Sequence, residues 1–197
     1  MKKKGFIIAG SKGIGKSIYD NLKTLKDYDI KKLNSKTLDT SNIINVKKFV
    51  QKNKKIDFLV LNTGGPPAKN FYKITESEFM KYHMQLFYSF AYILQKVKFS
   101  KNSYIFLISS AILKELPEEM ILSTSYRTAF LSLFKTFSKI NASKEINCIS
   151  IAPGAMKTNR LKKLLNNISE FEKSLPSKKL GNPDEIGKFV CFVVSIK

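Results

Sequence analysis

Apolar residues in this chain fall into short runs separated by longer stretches in which they recur at helical spacing. The runs at 6–9, 30–33, 58–61, 104–108 and 148–152 are too short for helices, and their β-branched and aromatic content reads as strands. The run at 30–33 is the weakest of them. Segments 13–26, 43–52, 76–97, 123–140 and 183–194 carry the helical period. The last opens on Asn182-Pro183-Asp184-Glu185, a capping residue followed by proline in the first turn. Apolar strands alternating with helices imply a parallel sheet covered on both faces, an α/β fold of three layers wound in both directions. Residues 1–197 read as a single domain without repeat, linker or low-complexity tract. One long irregular stretch, 154–182, has the length of a lid or substrate loop. The helical stretches 79–97 and 126–140 are apolar on most faces, and such helices must be covered all round. Pairing with their copies in a homodimer or homotetramer is the expected cover.

The first run leads straight into Gly10, Gly13 and Gly15. A glycine-rich turn from strand to helix lets backbone N–H groups approach a phosphate, and the helix N-terminus adds its positive dipole end. Two motifs fit the same residues. From Gly10 the sequence is G-x-x-x-x-G-K-S, in which Lys16 would reach the outer phosphates of a nucleotide and Ser17 would hold Mg²⁺. From Ile8 it is I-A-G-S-K-G-I-G, a dinucleotide-type turn. A phosphotransferase of the first kind needs an acid at a neighbouring strand end. The next runs end in Asn62-Thr63-Gly64-Gly65 and in Ser109-Ser110, with no Asp or Glu.

Composition narrows the partners. The net charge of +20 suits anionic ligands, but of 35 basic residues only Arg127 and Arg160 are arginine. Base readout and stacking favour arginine, so no specific nucleic acid is expected. Cys148 and Cys191 lie inside apolar runs without metal-ligand spacing, and with the single His83 they argue for no metal and for buried thiols in a reducing, cytoplasmic setting. The lysines at 2–4 imitate the start of a signal peptide, but the apolar run behind them is too short, and no run is long enough to span a membrane.

Further stretches resemble the short-chain dehydrogenase/reductase family, in the order expected of it and over nearly the whole chain. Ile8-Ala9-Gly10-Ser11-Lys12-Gly13-Ile14-Gly15 is similar to the family's T-G-x-x-x-G-I-G turn, with Ala9 at the first glycine. Asp57–Gly64 resembles its D-h-L-V-N-N-A-G strand end, placing Asn62, Thr63 and Gly64 beside the cofactor. Ser110 falls on the catalytic serine. Pro153-Gly154-x-x-x-Thr158 resembles the turn that holds the nicotinamide amide, and Gly181–Ile186 the late G-x-P-x-E-I helix start. The resemblance implies a Rossmann-like sheet of about six strands, truncated at its C-terminal edge strand and lacking the helix usual before Leu38-Asp39. It also implies a dinucleotide site at the carboxyl ends of the strands.

The catalytic Tyr-x-x-x-Lys of that family is not present. Its positions read Ser123-x-x-x-Arg127, and the supporting Asn falls on Leu86. A serine hydroxyl is far less acidic than a phenol, and arginine does not relay a proton. Ser123, Tyr126 and Arg127 share one helix face, so Tyr126, or a water held by Ser123, is a candidate donor. Asn62–Pro67 with Ser-x-x-x-Arg resembles an atypical subgroup of the family classed as oxidoreductases. The second strand ends in Lys31-Lys32-Leu33-Asn34-Ser35-Lys36, with no acid for an NAD ribose. Ser35, Lys36 and Lys12 suit a 2′-phosphate, so NADP(H) is expected over NAD(H), with Asp39 at the adenine. The resemblance thus implies an NADP(H)-dependent oxidoreductase on a small carbonyl, alcohol or acyl-thioester substrate. A catalytically silent dinucleotide-binding or scaffold protein of the same fold and a P-loop phosphotransferase remain the alternatives.

Overall fold

The structure, a computed structural model, describes residues 2–165 and 167–196. Five strands, β1 (Lys3–Ile7), β2 (Tyr28–Lys32), β3 (Lys55–Leu61), β4 (Lys98–Ile108) and β5 (Asn147–Ile151), form one sheet. Its order is β2-β1-β3-β4-β5 and every pairing is parallel. The helices are α1 (Gly13–Leu22), α2 (Ile43–Lys52), α3 (Glu76–His83), α4 (Ser89–Lys96), α5 (Ile121–Ile140), α6 (Asn159–Leu164), α7 (Ile168–Ser174) and α8 (Pro183–Ser195).

Strand alternation sorts the core into two halves. Ile7, Phe58, Val60, Phe106 and Ile108 point to α1 and α8, where Ile18, Leu22, Val190 and Val194 meet them. Phe6, Ile8, Leu59, Leu61, Ile105 and Leu107 point the other way, onto Val46 and Phe49 of α2, Ile93 of α4 and Phe130 of α5. The β3–β4 pairing jumps from Ile56 opposite Phe99 to Phe58 opposite Tyr104, so the extra residues lie in β4, and Ile56 packs in the same half as Leu59. Each side chain buried this way contributes about 1.5–3 kcal/mol. Phe130 and Phe134, expected at a dimer face, are 1% and 2% exposed and belong to this core, whereas Tyr88 is 40% exposed.

Several expected boundaries move. Five strands are present among the described residues, one fewer than about six, with β2 and β5 at the two edges. β1 starts at Lys3 and stops at Ile7, since Ala9 turns to φ 51° two residues on. α1 ends at Leu22 rather than 26, with the chain turning at once towards β2. The long helix at 76–97 is α3 and α4 joined through a π turn at Met84–Tyr88. Between β2 and Asp39 there is only a turn, in which Asn34 Oδ1 accepts from the N–H groups of Lys36 and Thr37.

From β1 the chain moves outward to β2 through α1 on one face and comes back past β1 to β3 through α2 on the other, so the strand order reverses between β1 and β3. Open α/β sheets form their ligand crevice at such a point, outside the carboxyl ends of the strands.

Candidate functional site

A cleft of about 820 Å³ opens at that reversal. Its floor is the turn after β1. Ala9 and Gly13 take left-handed backbone conformations, φ 51° and 53°. Such angles are costly for any residue with a Cβ and free for glycine. Gly10 N–H donates to the Leu33 carbonyl at 2.8 Å and ties the turn to the end of β2. At residue 15 a Cβ would lie 2.4 Å from the Ala9 carbonyl oxygen and 2.8 Å from Asn62 Nδ2. Only glycine lets α1 begin this close to the strand ends. Lys12, the residue before α1, has no side-chain cap bond, and the Ser11, Lys12 and Gly13 turn lines the cleft beneath the free N–H groups of the helix.

The wall after β3 is fixed by polar side chains. Asn62 Nδ2 donates to the Ala9 carbonyl at 3.4 Å, joining the two loops that flank the reversal. Gln85 Nε2 donates to Thr63 Oγ1 at 3.0 Å and to the Gly64 carbonyl at 2.8 Å. Gln85 stands in the π turn, which widens the helix by one residue locally and presents it to the cleft beside Lys81. Leu86, where the resemblance placed the supporting Asn, is buried against Tyr82 and Leu122. On the β2 side, Asp39 Oδ1 accepts from Ser41 N–H and Oγ, at 2.9 and 2.7 Å. Ser89 Oγ donates to the Thr40 carbonyl at 2.7 Å.

At the far end, Ser109 is buried on the cleft and its Oγ has no hydrogen-bond partner. Arg127 of α5 is half-buried. Its Nε donates to Ser123 Oγ at 3.2 Å, Nη1 to the Ile108 carbonyl at 3.4 Å and Nη2 to the Thr63 carbonyl at 3.4 Å. Burial, and then the charge of Arg160, hold its guanidinium down at about 10, so it remains a cation at neutral pH. The segment after β5 covers the opening. Lys157 N–H donates to the Gly181 carbonyl and Gly181 N–H to the Ala155 carbonyl, both at 2.9 Å, pinching its base. Thr158 caps α6 and lies against Gly13, while Arg160 Nη2 reaches the Pro66 carbonyl at 2.6 Å.

The cleft therefore gathers Ala9, Ser11, Lys12, Gly13, Ile14, Ser35, Asp39, Asn62, Thr63, Gly64, Arg127 and Thr158 from the sequence-predicted set. Gly10 and Gly15 shape the turn from beneath it. Lys36, Pro153 and Gly154 do not line it; the Pro153 carbonyl instead accepts from Ala111 N–H at 2.9 Å. Ser110 sits one residue past Ser109, half-buried, at the start of the 3₁₀ turn Ala111–Leu113, and does not line the cleft. Ser123 is 3% exposed and lies under Arg127. Tyr126 turns away: its hydroxyl donates to the Phe79 carbonyl at 3.1 Å, and burial pushes its phenol up, making it a weaker acid. Sequence reasoning missed Thr40, Lys81, Gln85, Ser109, Arg160 and Lys163. The scarcity of arginine was a signal for Arg160, and an amide set inside the apolar run Met84–Tyr88 was one for Gln85.

The P-loop reading fails on position. Lys16 projects from the outer face of α1, 54% exposed and paired with Asp20 one turn on, and neither it nor Ser17 lines the cleft. Ser17 is buried where α1 meets α8, and a Cβ at residue 187 would lie 2.7 Å from its Oγ. The half-turn that separates them from Ser11–Gly13 is set by the left-handed Gly13.

Residues 38–197 match the family described as enoyl-(acyl carrier protein) reductase. A 3-oxoacyl-[acyl-carrier-protein] reductase (FabG) of Chlamydia pneumoniae is 23% identical over 155 residues, 76% of this chain and 62% of that protein. The chain thus spans less than two thirds of that curated relative. The fold matches the angucycline C-6 ketoreductase LanV with bound NADP, with TM-score 0.85 and 15% identity, over 98% of this chain and 88% of that one. It matches a 3-ketoacyl-(acyl-carrier-protein) reductase from Brucella melitensis complexed with NADH equally, with TM-score 0.85 and 17% identity, over 98% and 91%. Among the described residues no helix is long and apolar enough to cross a membrane.

Proposed function

The chain belongs to the enoyl-(acyl carrier protein) reductase family of short-chain dehydrogenases/reductases, and from that premise we propose an NAD(P)(H)-dependent oxidoreductase acting on a carbonyl or alcohol. One observation carries this reading: a glycine turn packed so tightly against Asn62 that residue 15 has no room for a Cβ, which sets the start of α1 against the cleft at the reversal of strand order in a parallel sheet. The donor set fits a dinucleotide. The Ser11–Gly13 backbone would hold its diphosphate, and Asp39 with Ser41 its adenine end. The buried, partnerless Ser109 hydroxyl and the Arg127 guanidinium would hold its nicotinamide riboside. When bound, the coenzyme supplies or accepts a hydride.

The chain's own residues do the rest. Ser110 is assigned to polarise the substrate carbonyl on the family resemblance alone, since it stands beside the cleft next to Ser109 and does not line it. Ser123 accepts from Arg127 and fixes the guanidinium, so it is a positioning residue and not the acid. Tyr126 is tied to Phe79, so the alkoxide takes its proton from water in the open cleft. Lys12 and Ser35 at the β2 end support NADP(H) over NAD(H). The substrate lies under 154–182, with 3-oxoacyl thioesters and simple ketones as the first candidates. We keep the expectation of a cytoplasmic homodimer or homotetramer paired through the exposed Tyr88 side of α4.

Titration of NADPH and NADH by fluorescence tests the coenzyme. NADPH is expected to bind more tightly, and equal affinities would remove the role given to Lys12 and Ser35. Hydride transfer from NADPH to a panel of ketones and 3-oxoacyl thioesters, lost in Ser110→Ala, tests the reaction. The second reading, a silent dinucleotide-binding scaffold, is favoured by the diverted Tyr126 hydroxyl. Tight NADPH binding with no turnover on the panel would select it.

A further inference from the structure

Of 35 basic residues two are arginine, and both line the same cleft. They come from elements far apart in the chain, α5 and α6, and converge on the loop after β3. A Cβ at residue 65 would lie 2.9 Å from Arg160 Nη2 and 3.6 Å from Arg127 Nη2. Among the described residues no carboxylate pairs with either of them. Arg160 spends one N–H on the Pro66 carbonyl and keeps the rest of its fork. Lys163, one helical turn on, lines the cleft as well. Two neighbouring cations, both half-buried and without an acid, are unfavourable alone and favourable around an anion.

Resting on the oxidoreductase reading above, we propose that Arg160, backed by Arg127, binds an anionic group of the substrate, so that the preferred substrate is a carbonyl compound bearing a carboxylate or phosphate. The coenzyme diphosphate is the other source of such a group. It has its own cradle at Ser11–Gly13, whereas Arg160 reaches across to Pro66 on the β3 side. A planar fork suits carboxylate and phosphate alike through paired N–H donors.

Calorimetry on NADP⁺-loaded protein with acetoacetate and its methyl ester reads the charge preference without turnover. The acid is expected to bind at least tenfold more tightly than the ester. In Arg160→Gln that preference disappears while NADP⁺ affinity changes less than twofold, and Arg160→Lys retains part of it, which excludes misfolding as the cause. No preference in the wild type, or a preference kept in Arg160→Gln, overturns the proposal. Weakened NADP⁺ binding in Arg160→Gln also overturns it and assigns the arginine to the coenzyme. If the wild type binds no NADP⁺, the oxidoreductase reading fails on its own account, and inorganic phosphate titrated into the free protein decides the anion site. Phosphate binding lost in Arg160→Gln keeps it, and binding unchanged removes it.

Discussion

The Nε–H of Arg127 donates to the Ser123 hydroxyl at 3.2 Å, one turn earlier in α5. The pair that the resemblance puts at the family's Tyr-x-x-x-Lys positions is therefore one internal contact of a helix, and its product is the direction of a guanidinium. With Ser123 beneath it and the Ile108 and Thr63 carbonyls beside it, Arg127 is held by three elements at once.

Ser123→Ala removes the acceptor and leaves the Nε–H of a half-buried guanidinium without its partner. Such a loss costs about 1–3 kcal/mol. Thermal unfolding is expected at lower temperature, with weaker NADPH binding, while Ser123→Thr keeps most of both. Unchanged coenzyme affinity in Ser123→Ala would show that Arg127 needs no such anchor.

Ala9 and Gly15 respond oppositely to a methyl group. Ala9 carries a left-handed φ of 51°, a conformation that costs an L residue about 1–2 kcal/mol, offset in part by the extra freedom glycine has when unfolded. Ala9→Gly is expected to gain up to about 1 kcal/mol in urea unfolding. Gly15→Ala would push a Cβ to 2.4 Å from the Ala9 carbonyl oxygen and is expected to lose about 3 kcal/mol. A neutral Gly15→Ala would mean that α1 shifts freely on the sheet.

Lys12 and Lys16 separate the two phosphate motifs in solution. Lys12 lines the cleft, and Lys16 pairs with Asp20 outside it. NADPH titration should show several-fold weaker binding in Lys12→Ala and no change in Lys16→Ala. Loss of binding in Lys16→Ala would bring the P-loop reading back.

The loop that carries Gly64 and Gly65 is fastened to α3 by an acid-sensitive contact. Glu78 closes a capping box with Thr75 and accepts from Lys69 Nζ at 2.7 and 2.9 Å. The Lys69 ammonium first, and then the Thr75 backbone N–H, hold its carboxyl at about 2 instead of the ordinary 4.5. A carboxyl with a lowered folded pKa contributes stability that is present above 4.5 and lost as pH falls towards 2. Acid titration of thermal stability should show this loss in the wild type and not in Glu78→Gln.

How much could be read in advance depended on distance along the chain. The alternation of runs located every strand and the five long helical segments, because a strand apolar on both faces and a helix with one period are properties of contiguous residues. The Gly10–Gly15 turn was legible for the same reason, and Ala9 stood out within it. The π turn was not, since Met84–Tyr88 has no proline or glycine to announce it; the preference for Gln85 on Thr63 and Gly64 belongs to the packed state. The family resemblance puts the catalytic hydroxyl on Ser110, yet Ser109 lines the cleft, as adjacent residues at a strand end point to opposite sides.

The sequence by itself determined the layered parallel sheet, the tight glycine turn after β1 and the family, since each is written in local periods and in glycines whose absent side chains matter where they stand. Tertiary structure alone decided which hydroxyl lines the cleft, that Tyr126 is turned to Phe79, that Lys16 faces outward, and that Arg127 and Arg160 meet over Gly65. Those outcomes depend on helix rotation and on the closeness of segments far apart in the chain, which only the packing of the whole core sets.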